Sequence, residues 1–140
     1  MSVSNATARW DGTLDDGCGD MKPEHGPDMP FSRATRFDGV AGANPEELIG
    51  AALAGCFSMA LSASLERAGM RPEHVRTTAK VHLDLTDGGF EIRQIDLETE
   101  ARAEGADEEK LRLIAENAKR ECPIGKLLSA PIMLETKLAA

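Results

Sequence analysis

Apolar positions along the chain change their period several times, and each change marks an element. Residues 7–14 alternate as a strand does, and a Gly- and Pro-rich loop is expected from Asp15 to Pro30. Phe31 to Phe37 reads as a second strand that ends at Asp38-Gly39. A long helix is then expected from an Asn44 N-cap to about Ala68, with Gly69 as its C-cap. Pro45 suits the first helical position, and Glu46 and Glu47 favour the positive end of the helix dipole. Beyond it Ala79, Val81, Leu83 and Leu85 alternate with polar residues, and Asp87-Gly88-Gly89 signals a hairpin turn. The return strand carries Phe90 and Ile92 on one face and then shifts phase to Ile95, Leu97 and Thr99. That shift predicts a β-bulge near Arg93-Gln94. Asp107 caps a helix with the apolar stripe Leu111, Ile114, Ala115 and Ala118, and Glu108–Arg112 and Glu116–Arg120 are candidate i,i+4 ion pairs. Pro123 ends this helix and places Cys122 at or beside the N-cap of a new turn. Pro131 to Leu138 forms the last strand.

The run Leu48 to Leu65 has 18 residues without a charge, the lower length limit for a membrane span. Its wealth of Gly, Ala and Ser, and its lack of aromatic or basic anchors, favour a helix buried nearly all round within protein. Small residues there let another backbone approach closely. The elements together describe an α+β fold in one domain, residues 1–140.

Charge narrows the partners. A net charge of −8 argues against nucleic acid, which clustered Lys and Arg bind, and against an anionic membrane surface. The N-terminus lacks the basic and apolar regions of a secretory signal. Three cysteines without a CxxC do not resemble a disulfide framework and fit a reducing cytoplasm. His25, His74 and His82 show no metal-ligand spacing, so no metal or bound cofactor is expected.

The cysteines are the candidate chemistry. Cys56 lies mid-helix among small apolar residues, where an inert core thiol and a functional one are both open readings. Cys122 stands where helix N–H groups would favour its thiolate, although an irregular helix break reads equally well. Cys18 reads as an incidental exposed thiol. Arg36 could be a solvated strand residue, and Glu46 a dipole-stabilising one.

Asn44-Pro45-Glu46-Glu47-Leu48-Ile49-Gly50-Ala51-Ala52, running on to Ala54-Gly55-Cys56-Phe57-Ser58-Met59-Ala60-Leu61, resembles the central helix of the OsmC/Ohr family. Glu121-Cys122-Pro123-Ile124 resembles that family's second cysteine motif. Trp10-Asp11-Gly12 and Thr35-Arg36-Phe37-Asp38-Gly39 resemble the OsmC branch. The resemblance covers nearly the whole chain, but not the stretch from Asp15 to Pro30.

It implies a long central helix wrapped by antiparallel sheet, in an intertwined homodimer. It also implies thiol-dependent reduction of organic hydroperoxides, with hydrogen peroxide as a second candidate substrate, in oxidative stress defence. Cys56 matches the peroxidatic cysteine, Cys122 the resolving one, Arg36 the active-site arginine and Glu46 the family's glutamate. The reductant would be an external dithiol, a lipoyl group being one candidate by resemblance. A redox sensor and a non-catalytic binding protein are the competing classes. Glu46 and Cys56 are ten residues apart on one helix, ~15 Å along its axis. The expectation is therefore that Glu46, with Arg36, serves the Cys56 of a second chain.

Overall fold

The computed structural model describes residues 1–140, which form two compact units, Met1–Glu47 and Leu48–Ala140. The first holds an antiparallel meander of β1 (Ala6–Asp11), β2 (Cys18–Pro23) and β3 (Met29–Phe31), followed by the short helix α1 (Arg33–Phe37). Two expectations are corrected here. Half of the stretch from Asp15 to Pro30 is paired strand rather than loop, and residues 33–37 are helix rather than strand. Its Gly, Asp and Pro content hides the pairing, because those residues are poor strand formers that tertiary contacts can still recruit. Trp10 packs against Phe31 with ring centroids 5.4 Å apart. A Cβ on Gly19 would lie 2.7 Å from both rings, so glycine is required for strand β2 to pass beneath them. Helix α1 is set by a capping box in which Ser32 and Thr35 each bond the other's backbone N–H.

Helix α2 (Pro45–Arg67) starts at the end of the first unit and runs through the second. Asn44 accepts from the Glu47 N–H at 2.9 Å, and Gly69, at φ 82°, follows its end. Strands β4 (Arg71–Thr86) and β5 (Gly89–Glu104) form a hairpin that reaches well beyond the alternating segment, and β6 (Ile132–Leu138) joins the β5 edge. His82 pairs with Gln94 and Leu83 with Ile92, leaving Arg93 as the extra residue of the predicted bulge. The sheet is not wholly antiparallel, since β6 runs parallel to β5. A parallel pair needs a crossover, and α3 (Glu108–Glu121) with the single turn α4 (Pro123–Leu127) supplies it. Asp107 caps α3, accepting from the Lys110 N–H at 2.8 Å. The ion pairs along α3 are Lys110–Asp107 and Lys119–Glu116 at i,i+3, in place of the two expected i,i+4 pairs.

The core of the second unit joins three elements. Leu53, Phe57, Leu61 and Leu65 of α2 meet Ile95, Leu97 and Ala101 of β5, and Leu111, Ala115 and Ala118 of α3. All these side chains are at most 1% exposed. The expectation that α2 is buried nearly all round is not met within one chain. Sheet and α3 cover one side of it, while Ala51, Ala52, Gly55 and Met59 on the other side are exposed, Met59 by 77%. Apolar residues are spread evenly round the helix, so both sides are apolar.

One polar feature crosses this core. Ser58 of α2 donates to the Thr77 hydroxyl of β4 at 2.8 Å. Thr77 shares a 3.0 Å bond with Thr99, its cross-strand partner on β5, and Thr99 reaches the Arg76 carbonyl at 3.4 Å.

Candidate active site

The second unit brings Cys56 and Cys122 together from positions 66 residues apart. Helix α2 presents Cys56 half-buried against the core, and the α3–α4 junction presents Cys122 at 1% exposure. Cys122 plays two structural parts. It is the C-cap of α3, its N–H bonding the Ala118 carbonyl at 3.0 Å, and the N-cap of α4, its sulfur accepting from the Gly125 N–H at 3.4 Å. Pro123 makes this junction, because it cannot continue α3 but fits the first position of a new turn.

Burial pushes the Cys122 thiol above its ordinary value, and its hydrogen bond with Cys56 pushes the same way. The Gly125 and Ile124 N–H groups pull down and lose. The helix-terminus effect anticipated from sequence is therefore present but outweighed, because desolvation penalises the thiolate more than these N–H groups favour it. The resulting arrangement is a protonated Cys122 whose S–H can donate to the Cys56 sulfur.

Arg36 and Glu46 meet in the first unit. The guanidinium grips the carboxylate through Nε at 3.1 and 3.3 Å to its two oxygens and through Nη2 at 2.7 Å. Glu46 is 7% exposed, and Arg36 also lies over the Phe37 ring at 5.1 Å. Thr35 ties the two segments by donating to the Ser32 and Ala43 carbonyls at 3.1 and 2.9 Å. Arg36 stands in the last turn of α1, so it is neither on a strand nor simply solvated. Glu46 does more than favour the dipole of α2, since its carboxylate holds the arginine.

Cys18 is exposed at the start of β2. His82 bonds Asp96 at 2.7 Å on the open face of the hairpin, and no group of three or more His, Cys, Asp or Glu is placed to hold a metal. Sequence reasoning missed the Gly125 N–H and the Ser58–Thr77–Thr99 chain. The alternation that continues backward from Ala79 through Thr77 to Val75 was the available signal for the threonine.

Residues 37–137 match the family model described as OsmC-like protein, a span that includes Glu46, Cys56 and Cys122 and begins one residue after Arg36. Two relatives named Peroxiredoxin OsmC, from Escherichia coli (strain K12) and Shigella flexneri, are each 44% identical over 133 residues, 94% of this chain and 93% of theirs. An organic hydroperoxide resistance protein from Elizabethkingia anophelis superposes with a TM-score of 0.71 at 25% identity, covering 99% of this chain and 96% of that one. An OsmC-like protein of unknown function from Vibrio cholerae shares the fold with a TM-score of 0.77 at 17% identity, covering 97% of this chain and 99% of that one. With two free cysteines brought together at a helix–sheet core and a family match over most of its length, the chain belongs to the OsmC family.

Proposed function

We propose that this protein is a two-cysteine thiol peroxidase that reduces organic hydroperoxides in the cytoplasm, as part of oxidative stress defence. The observation that carries the reading is the meeting of two free thiols, a half-buried Cys56 beside a buried Cys122 whose thiol is raised. The names of the relatives, peroxiredoxin and organic hydroperoxide resistance protein, support the same class.

The Cys56 thiolate attacks the terminal peroxide oxygen. The O–O bond breaks, the alkoxide takes a proton and leaves as alcohol, and Cys56 becomes a sulfenic acid. The Cys122 sulfur then attacks Cys56. The S–O bond breaks, the Cys122 proton joins the departing hydroxide as water, and a Cys56–Cys122 disulfide remains. An external dithiol, a lipoyl group being one candidate, gives two electrons and two protons to restore both thiols. No bound cofactor enters the cycle.

The working form is a homodimer. The exposed apolar side of α2 and the hairpin-tip residue Leu85, 73% exposed, are surfaces that a second copy would cover. Arg36, oriented by Glu46, then serves the Cys56 of the partner chain as the positive charge opposite the thiolate.

The test is turnover. Consumption of tert-butyl hydroperoxide should continue through many cycles with a dithiol present, and Cys56→Ser should abolish it. Cys122→Ser should lower steady turnover at least tenfold and leave a sulfenic acid that dimedone traps on Cys56. A single round of oxidation, with no further peroxide loss at excess dithiol, would instead identify a sensor. No peroxide-dependent loss of thiols beyond Cys18 would leave only a binding protein.

A further inference from the structure

The hydroxyl chain through the core of the second unit has no part in the cycle above, yet it crosses the one interface that decides where Cys56 points. Thr77 follows Val75 and precedes Ala79 and Val81 in the core-facing row of β4, and Thr99 lies between Leu97 and Ala101 in that of β5. Valine has nearly the shape of threonine and no hydroxyl to satisfy. Stability alone therefore does not account for two threonines, one of them 3% exposed, beneath a helix. The chain is also complete. Ser58 donates to Thr77, Thr77 to Thr99, and Thr99 to the Arg76 carbonyl, so each hydroxyl has a partner. A fully satisfied buried network adds directional order where apolar contacts have none.

Helix α2 has particular need of such order. Its bulky residues Leu53, Phe57, Leu61 and Leu65 turn one side to the core, but apolar contacts carry no direction that fixes the helix's height and fine rotation on the sheet. Its contact with the sheet includes Gly50, whose missing side chain would come within 3.3 Å of Val81 and 3.5 Å of Ala79, a flat contact suited to sliding. Ser58, two residues beyond Cys56, is the side chain of α2 that makes a hydrogen bond to the sheet. A step of one residue along an α-helix is ~1.5 Å of rise and ~100° of rotation. Disulfide closure tolerates far less, with S–S near 2.05 Å and Cα separations within about 4.4–6.8 Å.

We infer that the Ser58–Thr77–Thr99 hydroxyl chain is a register pin, a set of positioning residues that fixes the rotation and height of α2 on the sheet and so aims Cys56 at Cys122. The inference rests on the proposed use of that cysteine pair. It assigns the three residues to the closing of the disulfide and not to the attack on peroxide.

The experiment measures effective concentration. In a Cys18→Ser background, the protein is equilibrated in glutathione redox buffers, and the fraction of Cys56–Cys122 disulfide is read by alkylation and mass spectrometry. Thr99→Val and Ser58→Ala should each lower the effective concentration of the pair by about tenfold, while Thr99→Ser, which keeps the hydroxyl, should restore it. An unchanged effective concentration in both Thr99→Val and Ser58→Ala would overturn the pin. So would an equal loss in Thr99→Ser, since volume and not the hydroxyl would then be at work. The parent enzyme run with tert-butyl hydroperoxide separates the two claims. If the glutathione series behaves as stated but peroxide is not turned over, the peroxidase reading falls and the pin stands. If no Cys56–Cys122 disulfide forms under any buffer, both fall.

Discussion

Arg36 and Glu46 stand ten residues apart and meet through local structure, whereas Cys56 and Cys122 stand 66 apart and meet only because helix, sheet and second helix share a core. The first pair is held by caps and turns: the Ser32–Thr35 box, the Thr35 bond to Ala43, and Asn44 at the start of α2. It is ionic and directional. The second pair is two free thiols, one of them fully buried, with no charge pair to align them, so packing must supply the precision. Charge placement can thus be written in a short segment, while a cysteine pair drawn from distant segments depends on the cooperative fold around it.

The largest test of that difference is oxidation itself. A bond closing a loop of this length should stabilise the protein by roughly 4 kcal/mol on the chain-entropy view. Chemical denaturation of reduced and diamide-oxidised Cys18→Ser protein measures it, and a difference near zero would show that the disulfide strains the core. Second, Arg36→Ala leaves the Glu46 carboxylate buried without its cation. Because the arginine side chain is 35% exposed, solvent screening trims the expected loss to about 1–2 kcal/mol. A double-mutant cycle with Glu46→Gln, measured on the reduced protein, reads the coupling.

Third, Asp107→Ala removes the cap of α3, the helix that carries Cys122. A loss of about 1 kcal/mol is expected by thermal melting. The smallest effect is a pH dependence. The Cys122 thiol is raised in the folded protein, so above the ordinary thiol value of 9.0 the unfolded chain releases a proton that the folded chain keeps. Stability is therefore fully present below that pH and falls as pH rises toward the folded value. Cys122→Ser should flatten this part of the pH–stability curve, and an unchanged slope would place the titration elsewhere.

Much of the fold could be read from the chain because its signals are local. Asn44, Asp107, Gly69 and Pro123 each mark a boundary through their own backbone chemistry, and the phase shift between Ile92 and Ile95 located the Arg93 bulge. Strands β2 and β3 escaped because glycine, proline and aspartate carry no strand preference, and their pairing partners lie elsewhere in the sequence. Residues 33–37 were mistaken for strand because a helix of five residues is too short to show a period. At the site, Pro123 marked the junction through its own backbone chemistry, while position alone left each cysteine open and only family resemblance suggested pairing Cys56 with Cys122. The raised Cys122 thiol was not legible, since burial is a property of the whole core, and the hydroxyl chain was not, since Ser58, Thr77 and Thr99 are individually ordinary residues.

The junction at Cys122 has one more consequence. The Cys122 sulfur receives the Gly125 N–H, so under the proposed cycle the chemical state of the pair is transcribed onto a backbone amide. Gly125 should therefore act as an internal spectroscopic label. Its amide proton resonance would move each time the sulfur changes from thiol to disulfide, allowing turnover to be followed at a glycine that takes no part in the chemistry.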